Sequence, residues 1–541
     1  MKWGKIVIAL LALATLSACQ HKPKAKKPTQ TNTWSRMAKD VIQTQDGAKI
    51  IDQVSGQTAV DTMEGLYRYS SNRLKPALAT TVVQPTNGGL TYTYHLRASE
   101  WRNGQPVTAQ DFVYAWRRAV APATESEYAY LFFGIKNADA IQAGKAKPET
   151  LGISAPDAHT LVVTLDHAIP YFNTMMVSPV FFPMAKATVA KYGAKYGTSS
   201  QTTMTNGPYT LRRWSSNDTA WTEVKNPRYW NAKNVHIKTI KTEVVKDSAT
   251  ALSLYRSGRL DDAILTGNLA QVYRKDKAYQ GQMQGRTSFL DMNQKRVPAF
   301  ANAKLRQAIS LAINRPQFVD KVLRDGSIIA RNLTPQGIAQ NPKTGEDFAQ
   351  EAARSSAGQY SQYDLARAKK LWRDGMHAVG KTTLHVTLLS DDTEQAKQTA
   401  VYLQSMLEKL PGLKIKLDPV SFKTRVTKSL AGNTQLVLSS WQGDYPDPVS
   451  FLDMYTTGNT YNFGGWSNAQ YDALIQASKT TDAADATKRY NDLQQAQQLL
   501  TEQAGMVPLY QTVAAHLVSR NITGLTYTPA NTYDYVGARI K

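Results

Sequence analysis

The chain has 541 residues, 42% of them hydrophobic, with ten Trp and 27 Tyr, which excludes a disordered polypeptide and predicts several packed lobes rather than one core. Its 64 Lys and Arg outnumber 42 Asp and Glu to give a net charge of +22, yet the bases are scattered, with no arginine-rich helix or zinc-finger spacing. That distribution predicts a basic soluble surface facing an anionic envelope rather than a nucleic-acid reader, and one cysteine excludes internal disulfides and CxxC sites.

Lys2 and Lys5 lead into an apolar run, Ile6–Leu16, too short to cross a bilayer as a mature helix and suited to the h-region of an export signal. The "LSAC" that follows, Leu16–Cys19, resembles a bacterial lipobox. Residues 1–18 therefore read as a signal peptide and Cys19 as the lipidated first residue of the mature chain. Residues 19–33, rich in Lys, Pro and Thr, have nothing to bury and read as a solvated stalk. Their lysines would supplement the acyl anchor on anionic lipid.

From about 78 to 205, strand and helix signals alternate irregularly. "TYTYHLR" has the period of a half-buried strand, and "TAQDFVYAWRRAV" opens with a capping box, Thr108 and Asp111, before Phe112, Ala115, Trp116 and Ala119 recur at helical spacing. Strands and turns follow in "NGPYTLRRW" and "WTEVKNPRYW". After about residue 300 the texture becomes α/β. "LHVTLLS", "TEQAKQTAVYLQSMLEKL" and "LKIKLDPV" predict a βαβ unit, and its parallel strands need both faces covered. "TQLVLSSW" predicts the next strand, with the loop "QGDYPDPV" at its carboxyl end, the edge where open α/β sheets gather ligands. The tail "MVPLYQTVAAHLVS" is strand-like and must pair with an earlier segment.

HExxH, GxSxG and GxxxxGK[ST] are all absent, and the eight histidines are dispersed, His159 and His167 showing no metal-ligand spacing. No catalytic residue, metal ligand or cofactor site is expected. The unusual feature is a cluster of three carboxylates, Asp444, Asp447 and Asp453, among prolines and aromatics in "SSWQGDYPDPVSFLDMY". Asp444 and Asp447 could form the acid/base pair of a hydrolase. Asp447, set between two prolines, fits a turn-closing role.

Seven segments resemble the extracytoplasmic solute-binding proteins of oligopeptide ABC transporters: "TMEGLYRY", "WRNGQPVTAQDFVYAWRRAVAPATESEYAYL", "NGPYTLRRW", "NPRYWNAKNVHI", "KLRQAISLAINRPQFVD", "DYPDPVSFLDMY" and "GGWSNAQYDALI". They occur in family order between roughly residues 60 and 520. The resemblance implies an α/β, periplasmic-binding-protein-like two-lobed clamp of type II with an additional domain on the first lobe. Lobe I would comprise 34–77, 206–300 and 510–541, the additional domain 78–205, and the opposing lobe 301–509. Two strands would cross between the lobes, hinging near Ser288–Met292 and Pro508–Gln511. Near the start, "SRMAKDVIQTQDGAKIID" lacks the family's Pro-Thr-x-Asp turn, so the bounds of the first strand are not set by the resemblance.

In that family an extended peptide lies enclosed between the lobes, its ammonium met by an aspartate after Trp-x-x. That aspartate matches Asp444 in "WQGDY". Trp441 and Tyr445 would exclude water and Gly443 would admit close backbone approach. Tyr128 matches a peptide-contacting tyrosine, and Asn462 falls in a backbone-contacting stretch. The implied protein is a monomeric, lipid-anchored receptor on the extracytoplasmic face of the cell membrane, in the manner of a Gram-positive cell surface. It would deliver oligopeptides to ABC permease subunits. A signalling-peptide (pheromone) receptor, a relative binding another solute, a hydrolase using Asp444 and Asp447, and an adhesin are the alternatives.

Overall fold

The structure, a computed structural model, describes residues 32–70, 73–528 and 532–541, without the side chain of residue 423. The predicted signal peptide, Cys19 and the stalk through residue 31 lie outside the described residues. The stalk ends earlier than expected. Thr33 already opens strand β1 (Thr33–Ala38), Trp34 beside it is only 1% exposed, and Asn32 Nδ2 donates to His236 O at 2.7 Å. The stretch left open by the resemblance then folds as β1, a short 3₁₀ turn at Gly47–Lys49 capped by Asp46, and a helix at Gln53–Thr62 capped by Asp52. Both aspartates accept from otherwise orphaned backbone N–H groups.

Eleven strands of the described residues form one sheet. Numbered in chain order they are β1, β2 (Tyr209–Arg212), β3 (Ala220–Lys225), β4 (Thr239–Val244), β5 (Asp262–Leu265), β6 (Tyr279–Met292), β7 (Ile328–Ile329), β8 (Leu384–Asp391), β9 (Leu413–Val420), β10 (Leu436–Gln442) and β11 (Val507–Val518). Their spatial order is β9, β8, β10, β6, β11, β5, β1, β4, β3, β2, with β7 beside β11. Strands β8 and β9 run parallel from Leu384↔Leu413 to Asp391↔Val420, connected by the helix Glu394–Leu407. That helix turns Ala400, Leu403 and Leu407 into a core shared with Trp372, Leu388 and Leu438. The predicted βαβ unit is present.

The two ends of the sheet meet at β6 and β11, which pair antiparallel with each other. The stretches read from sequence as crossing strands lie side by side: Ser288 faces Tyr510 and Leu290 faces Val507. The register shifts between Met283 and Thr287 and again between Ser288 and Phe289. Such irregularities bend and twist a strand locally. The tail strand β11 also pairs with β5, which resolves where that segment finds its partner.

A separate core packs around the helix Ala109–Val120, with its capping box formed and Phe112, Ala115, Trp116 and Ala119 buried as their spacing predicts. Elsewhere charge ties distant segments together. Arg36 Nη2 reaches Asp61 Oδ2 and Glu223 Oε1, both at 2.9 Å, while Nη1 donates to Tyr535 Oη at 3.1 Å. Four segments that are remote in sequence share one buried guanidinium.

Strand β6 carries a second buried charge site. Asp291 is fully buried, accepts from Tyr455 Oη at 2.7 Å on one oxygen, and has no protein partner for the other. Burial pushes its carboxyl up from 3.8 to about 7, with the Tyr455 bond pulling against that rise. Because the folded value is raised, the group's stabilising contribution is full at low pH and is lost as pH climbs through about 7. Asp291→Asn should therefore gain stability relative to the native protein as pH rises from 5 to 8, with a slope of at most about 1.4 kcal/mol per pH unit. Urea denaturation at several pH values checks this; a pH-independent difference would show that Asp291 does not titrate in that window.

Candidate functional site

The acidic loop begins where β10 ends. Gln442 is the cross-strand partner of Arg286, and just beyond it Gly443 N donates to Gly285 O at 3.1 Å. Pro446 and Pro448 then keep residues 443–447 out of regular structure until the short helix Val449–Leu452. A Cβ on Gly443 would sit 2.6 Å from the Phe451 ring. Phe451 fills the space where a Cβ would project, so the loop's own packing requires a glycine here. Ser450 pins the loop from below: its Oγ accepts from Asp444 N and its carbonyl from Trp441 Nε1, both at 2.8 Å.

The three carboxylates have different fates. Asp447 accepts from Arg489 Nη2 at 2.7 Å and Nη1 at 2.9 Å, and from Val449 N at 2.9 Å. The expected turn-closing bond is there, joined by a bidentate ion pair that the sequence did not reveal. Asp453 pairs with Lys479 Nζ at 2.7 Å. Asp444 pairs with no cation among the described residues. Its Oδ2 instead accepts from Tyr130 Oη at 2.5 Å, and Tyr128 packs edge-on against Tyr130 with centroids 6.0 Å apart.

Asp444 keeps some solvent contact, yet protein crowds it closely enough that burial pushes its carboxyl up to about 6. The Tyr130 and Tyr128 hydroxyls pull it back down, and burial together with the nearby carboxylate pushes both phenols up. A carboxylate so placed is ionised at neutral pH with no cation of the described residues beside it. Tyrosine hydroxyls supply hydrogen bonds but no compensating charge.

The remaining expected residues surround this group in differing ways. Trp441 packs on Tyr461 at 5.0 Å. Tyr445 lies flat on Tyr171, with centroids 4.7 Å apart and planes 7° apart, and the Arg489 guanidinium sits over the other member of that stack, 5.2 Å from the Tyr171 centroid. Both aromatics pack beside the loop. Asn462 does not present its side chain to the loop. Its Nδ2 donates to Trp466 O at 2.7 Å and its Oδ1 accepts from Trp466 N at 3.2 Å, which shapes its own turn. Tyr130, Tyr171, Tyr461 and Arg489 were not anticipated. Only Tyr130 had a sequence signal, the second aromatic of "EYAY" two residues after Tyr128.

A cavity of about 1260 Å³ lies elsewhere, over the face of β1, β4, β3 and β2, among Arg102, Tyr192, Gln201, Arg212, Lys241 and Arg259. It is a polar, open groove, with none of the acidic loop in its lining. The convergence of a desolvated carboxylate, phenols and stacked rings from two parts of the chain makes the Asp444 loop the candidate site.

Comparison with known proteins agrees with this architecture. The profile of the bacterial extracellular solute-binding proteins, family 5, middle region, matches residues 73–463. A protein of Lactococcus lactis named dipeptide-binding protein is 35% identical, with 100% of both chains covered. The structure of Listeria monocytogenes OppA bound to peptide has a TM-score of 0.82 at 35% identity, covering 95% of this chain and 100% of that one. The pheromone receptor PrgZ has a TM-score of 0.83 at 33% identity, covering 94% of this chain and 99% of its own. The chain belongs to family 5 of the bacterial extracellular solute-binding proteins, with the fold of a two-lobed clamp.

Proposed function

We propose that the protein captures peptides between its lobes, holding the peptide's N-terminal ammonium on Asp444, and passes them to an ABC permease. The observation that carries this reading is the state of Asp444. Of the three loop carboxylates it alone lacks a basic partner among the described residues, while Asp447 and Asp453 have theirs. A primary ammonium supplies the missing charge and donors that phenol hydroxyls leave room for. The Lactococcus lactis relative is named for dipeptides and the Listeria monocytogenes neighbour is described with peptide bound, which supports the same class of ligand. Tyr128 and Tyr130 reach Asp444 from the segment 78–205, and Asp444 itself comes from 301–509. A ligand at that carboxylate touches both sides of the clamp, and closure over it is favoured by contacts to both. Binding rather than hydrolysis fits Asp447, whose two oxygens are occupied by Arg489 and Val449 N. Resemblance to the pheromone receptor PrgZ supports a second reading, a signalling-peptide receptor using the same site. Lipidation of Cys19 would hold either kind of receptor on the extracytoplasmic face of the membrane.

Asp444→Ala should weaken binding of a peptide with a free N-terminus by about 2–5 kcal/mol, on the order of 30- to 4,000-fold. N-acetylation of the peptide should weaken binding to the native protein similarly, and the two losses should not add, since each deletes the same contact. Affinity should also fall as pH drops below about 6, where Asp444 takes up a proton. Calorimetry with free and acetylated peptide decides the matter; equal affinity for the two on native protein would remove Asp444 from this role.

Asp447→Ala should behave differently. It strands Arg489 in a buried setting and should lower stability by roughly 3–5 kcal/mol while preserving the preference for free over acetylated peptide. Denaturation curves paired with the same binding assay separate the two aspartates. For the anchor, Cys19→Ser should yield protein without acyl mass that leaves the membrane in a salt wash, since the acyl chain requires the thiol. Continued membrane retention with acyl mass present would refute the assignment of Cys19.

A further inference from the structure

The described arginines that leave water are almost all accounted for within the chain. Arg36, Arg68, Arg118, Arg425 and Arg489 pair with carboxylates. Arg306 and Arg315 are instead wrapped by carbonyl oxygens: Arg306 donates to Phe300, Ala301, Gln503 and Ala504, and Arg315 to Ser310 and Pro508. Arg97 and Arg102, half-buried, each donate to one carbonyl, Ala79 O and Gln201 O, and Arg97 also lies over the Trp230 ring. Arg286 on β6 is given neither a carboxylate nor a backbone carbonyl. Its Nη2 donates to one neutral acceptor, Gln442 Oε1, at 3.0 Å, and it forms no ion pair with a described carboxylate. The segments outside the description, 1–31, 71–72 and 529–531, contain no Asp or Glu that could supply one.

The surroundings of Arg286 offer hydroxyls but no charge. Burial pulls its guanidinium down from the usual value, and the neighbours that oppose this are Tyr510 on β11 and Tyr527 of the C-terminal segment. Guanidinium does not lose its proton in proteins, so a positive charge remains, poorly compensated, where the two crossing strands meet. Its position is informative. Gln442, its cross-strand partner, stands two residues before Asp444, about 7 Å of extended chain. Arg286 and Asp444 therefore stand on adjoining stretches of backbone, and Gln442 rather than Asp444 takes the guanidinium bond.

We propose that Arg286 is a specificity-determining residue that receives a carboxylate near the amino end of the bound ligand. The carboxylate has two possible sources. It is the C-terminus of a two- or three-residue peptide, or an Asp or Glu side chain at one of the first three positions of a longer peptide. An extended peptide advances about 3.3–3.6 Å per residue, so either source comes within reach of Arg286 when the ammonium is on Asp444. The planar fork of the guanidinium suits bidentate recognition of either carboxylate. The proposal rests on the reading of Asp444 as the ammonium site.

The test uses the full mature protein and calorimetry with defined probes: Ala-Ala, Ala-Ala-Ala and their C-terminal amides, and pentapeptides carrying Glu or Gln in turn at positions one to three. Native protein should prefer one carboxylate-bearing probe over its amide counterpart by roughly tenfold or more. Preference for the short free acids identifies the terminus, and preference for a Glu position identifies the side chain. Arg286→Gln should abolish that ratio while leaving the amide probe within about threefold of its native affinity, and Arg286→Lys should retain part of the ratio. Circular dichroism confirms that the variants fold; should Arg286→Gln fail to fold, the native ratios and Arg286→Lys still decide. Native protein that binds each acid and amide equally, or a ratio unchanged in Arg286→Gln, overturns the proposal while leaving peptide binding at Asp444 intact. Failure of native protein to bind any probe with a free N-terminus overturns the Asp444 reading and this proposal with it.

Discussion

A charge removed from water must find a partner, and much of this molecule is arranged by that requirement. Arg36 draws Asp61, Glu223 and Tyr535 into one buried cluster, and Arg68 joins Glu64 to Asp534. These contacts link the beginning, middle and end of the chain on the β1 side of the sheet, and they are expensive to break because each would strand the other partner. Against that background, and besides the buried Asp291 of β6, Asp444 in the loop after β10 and Arg286 on β6 stand without a described partner of opposite charge. Both sit where β6 and β10 lie together, next to the strands that join the two halves of the sheet. On the proposed readings of Asp444 and Arg286, a zwitterionic guest would offer both missing partners at once.

Aromatic packing sets the value of those contacts. The stack of Arg489, Tyr171 and Tyr445 covers one flank of the loop, and Trp441 with Tyr461 covers another. Lys479 adds a cation over Phe133 at 5.3 Å, so residues 128–133 and 171 are clasped to the loop at several points. Rings exclude water without offering charge, which strengthens any ion pair formed between them and penalises an unpaired one. The same rings join parts of the chain that belong to different cores, so ordering them and filling the site are coupled through shared packing.

The elements legible in sequence were those written in local pattern. Helix Ala109–Val120 announced its start in Thr108 and Asp111 and its buried face in the spacing of Phe112 and Trp116, and all of these appear as expected. The alternation of β8 and β9 around a helix was equally clear. Strand β1 was obscure because the only guide was a family turn that this chain lacks. At the site, Asp444 and the covering aromatics came from resemblance, but its partners did not. Arg489 lies 42 residues from Asp447 and Tyr130 lies 314 from Asp444, distances over which no periodicity connects two side chains. The packing of Gly443 and Asn462 was not legible in sequence for a related reason. Whether a glycine makes room for a ligand or for Phe451, and whether an amide faces a guest or its own turn, depends on tertiary neighbours.

The chain's net charge of +22 bears on the site less than it first suggests. A cationic peptide terminus approaching so basic a protein meets repulsion, but at physiological salt exposed charges are screened beyond about 8 Å. Most of the lysines and arginines are scattered over the surface and act only at that range. Asp444 acts at contact distance, among rings, where screening is weak. On the proposed reading of Asp444, the local environment opposes the global charge and outweighs it. The three-carboxylate loop is one acidic structural unit in which two members are consumed in holding the third in place: Asp447 through Arg489 and Val449 N, and Asp453 through Lys479. Their pairing ties the loop to Arg489 and Lys479 and leaves Asp444 as the member without a described cation.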